Sequence, residues 1–339
     1  MTRPRLTVVL SQAQGKHPAR RALEESIAAA LILEPGLDVS IVPHLYDLDP
    51  QHTGRLYLES ITGDMVLMSW MYPRAAFWVL DRDGIRGHWG ETQIKSAAME
   101  DDEGDDEESE SEAAKGIGSL NVPDRVIYCL DLRDSASHET YVAEVRRIAD
   151  ECRARSEAKL KEWVQGNPTM VQLGRYLHPD TNGSKPKEIT DTPDRRWYPV
   201  IDYSRCTNCM ECIDFCLFGV YGVDQVDRIL VEHQDNCKRG CPACSRVCPE
   251  HAIIFPDYKT PAIAGAPVGQ VTGLKIDLTK LFGGQDAISI AAQERDRELV
   301  LDGREAVGLS VGIPKRQAGK TDEPKDDLDN LMDALDANL

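Results

Sequence analysis

The sequence lacks the features by which several common protein classes are recognised. Its longest apolar run, residues 27–33, has seven residues, whereas a membrane-spanning helix needs roughly 18. It contains no Gly-x-Gly-x-x-Gly, no Walker loop, no Ser/Thr-rich phosphate loop and no His-Glu-x-x-His pair. Basic residues are outnumbered, since the chain has 39 Lys and Arg and 57 Asp and Glu. The resulting net charge of −18 would repel nucleic acid phosphates. We therefore expect neither a membrane span nor a nucleic acid partner.

The first residues of the sequence also lack a secretion signal. Arg3 and Arg5 precede an apolar run at residues 6–10, which is too short for a signal peptide and has no cleavage site after it. The run is better explained as a buried strand. We expect a cytoplasmic location, where cysteine thiols stay reduced.

Most of the excess negative charge lies in one segment. Ten of the 13 residues from 100 to 112 are Asp or Glu, and none is Lys or Arg. Such a run cannot bury apolar surface, so the sequence predicts a disordered acidic insertion over residues 98–116. It either keeps the chain soluble or docks a partner protein that carries a basic surface.

Residues 1–165 are predicted to form an α/β domain with a small, mostly parallel sheet. Buried strand patterns alternate with helical periodicity, which favours strands connected by crossover helices. The predicted strands are residues 6–10, 37–42, 64–69 and 125–132. The predicted helices are residues 18–33, 73–80 and a long one from about 135 to 163.

Polar and aromatic residues follow these strands at the edge where parallel sheets bind ligands. They include Ser11 and Gln14 after the first strand, Trp70 and Tyr72 after the third, and Arg133 after the fourth. A flavin or a substrate could bind there, although no cofactor motif supports it. The alternative is that the domain binds no ligand and instead packs against the rest of the chain or docks a partner protein.

Cysteine is the residue type in this sequence that gives the clearest indication of a chemical function. Eight of the ten cysteines lie within residues 206–248, in two runs. The runs are Cys206-x2-Cys209-x2-Cys212-x3-Cys216 and Cys237-x3-Cys241-x2-Cys244-x3-Cys248, the second followed by Pro249. A 4Fe–4S cluster takes one thiolate at each of four irons, and three cysteines two residues apart let one tight turn reach three of them. The spacing predicts iron–sulfur chemistry and electron transfer.

Zinc is the main alternative for these cysteines. A structural zinc site usually pairs two Cys-x-x-Cys knuckles around one tetrahedral ion, and the middle residue Cys209 would be redundant in such a site. Disulfides would need an oxidising compartment, of which the sequence gives no sign. Iron–sulfur is therefore the favoured interpretation. The remaining two cysteines, Cys129 and Cys152, are expected to be buried apolar residues.

Residues 196–257 resemble a bacterial-type two-cluster 4Fe–4S ferredoxin domain. The resemblance rests on Cys-Thr-Asn-Cys-Met-Glu-Cys-Ile-Asp-Phe-Cys at 206–216, on the second run and on flanking strand candidates, and it covers under a fifth of the chain. It implies an α+β ferredoxin-like fold in which the fourth cysteine of each run binds the other cluster. The implied ligands of the first cluster are Cys206, Cys209, Cys212 and Cys248. Those of the second cluster are Cys237, Cys241, Cys244 and Cys216.

Two positions depart from the family pattern. Leu217 follows Cys216 where the family usually has proline, and three residues rather than two separate Cys237 from Cys241. The extra residue changes the loop around the second cluster, and a 3Fe cluster would result if one ligand failed to reach.

The other segments are predicted to connect or extend these two domains. Residues 166–195 are expected to be a linker, 258–313 an irregular extension with a helix from about 286, and 314–339 a flexible tail. The tail ends in an acidic amphipathic helix that either docks on this protein or binds a partner. Its apolar face carries Leu328, Leu331, Met332, Leu335 and Leu339.

These features predict an iron–sulfur electron carrier or electron-transfer subunit that works with redox partner proteins. One alternative is an oxidoreductase whose N-terminal domain binds a flavin or substrate and receives electrons from the clusters. A second is an iron–sulfur sensor or assembly module, because a small cluster domain takes much of its stability from its metal. The sequence favours a carrier or redox subunit over a stand-alone enzyme, and it offers no catalytic acid, base or nucleophile.

Overall fold

The computed structural model describes residues 6–15, 17–94, 116–165, 187–189, 191, 193–266 and 287–312. The first half of the chain forms the expected α/β domain around a parallel sheet. Its strands lie in the order β4-β5-β3-β1-β2-β6 and every pairing is parallel. The strands are β1 Leu6–Ser11, β2 Leu37–Val42, β3 Met65–Ser69, β4 His88–Gly90, β5 Val126–Asp131 and β6 Lys187–Glu188.

The central strands are apolar on both faces because helices cover the sheet on both sides. Neighbouring residues of one strand therefore enter different cores. Val8 packs with helix residues on one face, whereas Val9 packs with the core of the opposite face. The same alternation places Val66 and Leu67 of β3 in opposite cores.

Helices α1 Pro18–Leu31 and α4 His138–Gln165 cover one face of the sheet, and α2 Thr53–Ser60 and α3 Pro73–Arg82 cover the other. Proline occupies the first position of α1 and α3, where its missing N–H costs no helical hydrogen bond. The predicted strands and helices are present, with bounds that differ from the predicted ones by at most three residues. Helix α2 and strands β4 and β6 were not predicted.

The region of the eight clustered cysteines consists of short elements. The strands predicted next to the cysteine runs pair as expected: β7 is antiparallel to β10, and β8 to β9. The strands are β7 Val200–Ile201, β8 Tyr221–Val223, β9 Ile229–Val231 and β10 Ile253–Ile254. Two one-turn helices, α5 Glu211–Phe215 and α6 Ala243–Val247, carry cysteines at their ends.

The cysteine region packs directly against helix α3 of the α/β domain. Tyr198, Val200 and Ile254 belong to the same buried core as Tyr46 and Val79. Tyr46 and Tyr198 exchange hydrogen bonds, since the Tyr46 hydroxyl donates to the Tyr198 carbonyl at 2.5 Å and the Tyr198 hydroxyl donates to the Tyr46 carbonyl at 3.0 Å. The two predicted domains thus share one hydrophobic core.

The segment after the cysteine region contains two helices among its described residues, one of which begins close to the predicted start at about residue 286. Helix α7 Pro261–Ala264 ends at Gly265, whose φ of +101° suits glycine and where a Cβ would lie 2.9 Å from that of Ala75. Helix α8 Ala287–Leu301 packs on α6 through Ala291.

Several predicted segments fall largely or wholly outside the described residues. They are the acidic insertion apart from Gly116, most of the linker, and the amphipathic tail. Gly116 itself donates a backbone hydrogen bond to the Ser204 carbonyl at 3.0 Å. Within the described part of the chain, no helix has the length and apolar character needed to cross a membrane.

Candidate metal centre

The eight clustered cysteines line two separate cavities, four in each. We call these sets the first and second cysteine groups. The first group is Cys206, Cys209, Cys212 and Cys248. The second group is Cys216, Cys237, Cys241 and Cys244. The structure therefore brings together the same two sets that the family resemblance implies.

Two one-turn helices explain why each cysteine run contributes to both groups. In α5, Cys212 of the first group is four residues before Cys216 of the second, and the Cys216 N–H donates to the Cys212 carbonyl at 3.0 Å. In α6, Cys244 of the second group precedes Cys248 of the first in the same way, at 3.2 Å. Four residues rise about 6 Å along a helix, so each helix holds one cysteine at each cavity.

The loop that carries the first three cysteines is wound tightly. Asn208 and Met210 have φ values of +59° and +65°, a left-handed conformation that lets the backbone turn sharply at both positions. The Asn208 side chain fixes this turn, because its Nδ2 donates to the Asp227 carbonyl at 2.8 Å and its Oδ1 accepts from the Ile229 N–H at 2.9 Å. Asparagine tolerates the left-handed conformation better than most residues do.

Hydrogen-bond donors face the sulfurs of both groups. The Ala252 N–H donates to the Cys248 Sγ at 3.3 Å, and the Tyr221 hydroxyl donates to the Cys244 Sγ at 3.1 Å. The backbone N–H groups of Phe218 and Val220 face the Cys216 sulfur. Donors in these positions stabilise negative charge on sulfur.

One polar group beside the second cavity has no ordinary partner among the described residues. The indole Nε1 of Trp197 is buried and forms no hydrogen bond of standard geometry there, although it points toward the Cys237 sulfur. A buried N–H group without a hydrogen bond destabilises the folded protein unless an acceptor occupies the space in front of it. An inorganic sulfide or a coordinated thiolate would be such an acceptor.

Burial keeps the free cysteines in their thiol form. Desolvation raises the pKa of Cys241 and of Cys248 to about 11, and it raises the pKa of Cys212 well above its ordinary value. At neutral pH these groups are protonated until a metal displaces the proton. Both cavities also have apolar walls, with Ile201, Ile229 and Ile253 around the first group.

A charged residue beside the second cavity was missed by the sequence reasoning. Arg295 of α8 is 1% exposed and lines that cavity together with the second cysteine group. It occupies the buried face of the helix, four residues after Ala291 and four before Leu299. An arginine at the centre of an otherwise apolar helical face is the one sequence signal that could have found it.

Residues at the carboxyl ends of the parallel strands form hydrogen bonds within the chain. Trp70 Nε1 donates to Glu24 Oε1 at 2.8 Å, and the same oxygen accepts from the Ala13 N–H at 2.6 Å. The Gln14 amide donates to Asp257, which follows the cysteine region, at 2.9 Å. Cys129 and Cys152 lie in the buried cores of the α/β domain, as expected for structural residues.

The two cysteine groups surround spaces and do not converge on a point. Within the residues that the structure describes, no three His, Cys, Asp or Glu side chains lie close enough together to hold a single metal ion. A zinc ion binds thiolates at about 2.3 Å, which brings all its sulfurs within about 4 Å of one another. A four-iron cluster instead takes its thiolates at four separate corners.

Comparison with known proteins gives one match. Over 80 residues the chain is 46% identical to an uncharacterized ferredoxin of Methanocaldococcus jannaschii. The match covers 23% of this chain and 50% of that relative, so the chain spans about half the length of the curated relative it matches. No family model and no solved structure matches the chain. The similarity supports a ferredoxin-type domain within this chain.

Proposed function

We propose that this protein is an iron–sulfur electron carrier, or an electron-transfer subunit, that holds two 4Fe–4S clusters. The first cysteine group binds one cluster and the second group binds the other. The observation that carries the proposal is the arrangement of four cysteine side chains around each of two neighbouring apolar cavities. The match to an uncharacterized ferredoxin supports the same role.

The environment of the sulfurs supports clusters rather than single ions. Backbone N–H groups, the Tyr221 hydroxyl and the Trp197 indole all face the sulfur atoms, and a cluster gains negative charge when it is reduced. Zinc is redox-inactive, so it cannot take up the added electron that such donors favour.

The one-turn helices α5 and α6 support electron transfer between the clusters. Each helix links a cysteine of the first group to a cysteine of the second over four residues, so a short stretch of backbone joins the two proposed sites. With a cluster bound at each site, an electron could pass from one to the other before it leaves to a partner protein. Given the net charge of −18, the expected partner is a redox protein with a basic docking surface.

The proposal is tested by metal analysis of protein purified without air. Two 4Fe–4S clusters give about eight irons and eight sulfides per chain and paramagnetic signals on reduction. Colourless protein, or protein that contains only zinc, would refute the proposal.

The assignment of cysteines to clusters is tested by serine substitutions. Cys212→Ser and Cys248→Ser should weaken the same cluster signal, and Cys244→Ser and Cys216→Ser should weaken the other. If each run instead bound its own cluster, Cys216→Ser would affect the same signal as Cys212→Ser. Cys152→Ser is the control, because Cys152 is buried in the α/β domain away from both groups.

A further inference from the structure

Arg295 is the most deeply buried cation of the described chain and it adjoins the second cysteine group. Its guanidinium lies 4.5 Å from the centre of the Phe215 ring. Its Nη1 donates to the Val311 carbonyl at 2.9 Å and its Nη2 donates to the Gly308 carbonyl at 2.6 Å. A buried charge persists only where hydrogen bonds replace the water it has lost, and these two carbonyls do so.

The partner carboxylate of Arg295 does not line the cavity of the second group. Asp296 accepts from Arg295 Nε at 3.1 Å and from the Gly308 N–H at 2.6 Å, and it lines a separate groove along α8. Arg295 itself lines the cavity of the second group. Because the cation lines that cavity and its anion does not, the pair presents net positive charge to it.

Two other carboxylates of α8 act in the opposite direction. Glu294 and Glu298 both influence Cys241, but both are partly exposed to solvent, which screens their charge. The guanidinium of Arg246 also binds Glu294, at 2.9 and 3.1 Å. Among these α8 charges Arg295 alone is buried, and it acts on Cys216 of the second group.

The two cavities differ in the charged residues around them. Arg295 and Lys238 line the second cavity, which has no carboxylate among its lining residues. Glu211 and Glu250 line the first cavity, which has no cation among its lining residues, although Arg228 acts on Cys206 from further away. Added negative charge is stabilised more at the second site.

We propose that the buried charge of Arg295 raises the reduction potential of the second cluster above that of the first, so that electrons collect on the second cluster. This inference rests on the proposed function. The step moves one electron: the reduced first cluster is oxidised, the oxidised second cluster is reduced, and no bond or proton changes. Helix α8, which lies beyond the ferredoxin-like region, thereby sets the direction of the internal transfer.

The experiment is a redox titration of the full-length protein, followed by low-temperature paramagnetic resonance. The signal of the second cluster is the one lost in Cys244→Ser. Arg295→Gln should lower the potential of that cluster and leave the first nearly unchanged. Arg297→Gln is the matched control, since it removes the same charge from an exposed position of the same helix. Arg295→Lys should restore most of the potential, because it keeps the charge.

Each outcome decides a separate point. Wild-type protein without two reducible clusters would refute the proposed function itself. Two clusters whose potentials respond equally to Arg295→Gln and Arg297→Gln would overturn only the role of Arg295. If Arg295→Gln does not retain the second cluster, the titration of wild-type protein decides the point, because the inference requires the signal lost in Cys244→Ser to have the higher of the two potentials. A second cluster with a potential at or below that of the first would then overturn the inference.

Discussion

Asp47 is a buried carboxylate where the α/β domain meets the residues around the cysteine region. Its side chain accepts from Gln14 Nε2 at 3.0 Å and from the Arg196 N–H at 3.1 Å. Desolvation is the largest cause that raises its pKa, to about 6, and the nearby Asp257 carboxylate adds to the effect. His44, 3.7 Å away, has its pKa lowered to about 4 by burial. At neutral pH the folded protein therefore has an uncharged His44 beside Asp47, whose ionised form is destabilised by burial.

This carboxylate makes stability depend on pH. Because its pKa is higher in the folded state than in the unfolded state, Asp47 favours folding fully below about pH 4, and this contribution is lost as the pH rises through 6. Asp47→Asn removes the charge. We expect its free energy of unfolding to exceed that of wild type by on the order of 2 kcal/mol at pH 8, since one pKa unit is about 1.4 kcal/mol.

The check is a series of denaturant midpoints at pH 5, 6, 7 and 8 for both proteins. The advantage of Asp47→Asn should shrink toward pH 5. The lowered pKa of His44 makes the free energy of unfolding rise with pH in wild type and variant alike. The difference between the two proteins therefore reports on Asp47. Asp49→Asn, at an exposed position two residues later, should show no such trend. A pH-independent difference would contradict the expectation.

At the scale of elements, helix α3 is joined to the first cysteine loop by one ion pair. Arg74 Nε donates to Asp202 Oδ2 at 2.5 Å, and its Nη2 donates to the His251 carbonyl at 2.7 Å. Asp202 is 1% exposed, and its carbonyl accepts from the Cys206 N–H at 2.9 Å. Helix α3 therefore supports the residue on which the first cysteine loop is anchored.

Arg74→Gln should lower the free energy of unfolding by about 3 kcal/mol, because it leaves a buried carboxylate without its main partner. Arg205, 3.8 Å from Asp202, compensates only in part. The variant should also lose iron from the first cluster faster in the presence of a chelator. Arg153→Gln breaks an exposed ion pair with Asp150 and should change stability by less than about 1 kcal/mol. Equal thermal midpoints for the two variants would contradict this role of Arg74.

The sequence predicted the elements that have strong local patterns and missed those that lack them. The buried runs of β1, β2, β3 and β5 are apolar over most of their length, as expected for central parallel strands. Helix α2 buries only Gly54 and Leu58, so it has no apolar periodicity to detect. Strands β4 and β6 lie at the sheet edges and are only three and two residues long.

The candidate site likewise has a part that the sequence predicts and a part that it does not. The short spacings within each run mark the eight cysteines as ligands, and the resemblance to two-cluster ferredoxins implies their two groups. Arg295, 47 residues beyond Cys248, reaches the second cavity from α8, and the Tyr221 hydroxyl reaches Cys244 across 23 residues. Contacts of that kind depend on packing between elements, which local patterns do not encode.

At the scale of the whole molecule, the α/β domain and the cysteine region are one folding unit. Tyr198, Val200 and Ile254 are at most 1% exposed because α3 and its neighbours cover them. Burying each such side chain contributes about 1.5–3 kcal/mol. The resemblance to ferredoxins covers residues 196–257 only. It does not predict that this region shares a hydrophobic core with the α/β domain. The α/β domain therefore acts as a structural support of the cysteine region.

We expect residues 187–339 expressed alone to be poorly soluble and to contain fewer irons per chain than the full protein, because the face that carries Tyr198, Val200 and Ile254 is then open to solvent. Co-expression with residues 1–165 as a separate chain should restore both solubility and iron, since the two pieces bury the same core when they associate. Tyr198→Asp in the C-terminal piece should abolish this rescue, whereas Asp235→Asn, at an exposed position, should not. The measurements are the iron content and the co-purification of the two pieces under anaerobic conditions. A C-terminal piece that alone is soluble and holds the full complement of iron would show that the shared core is dispensable for cluster binding.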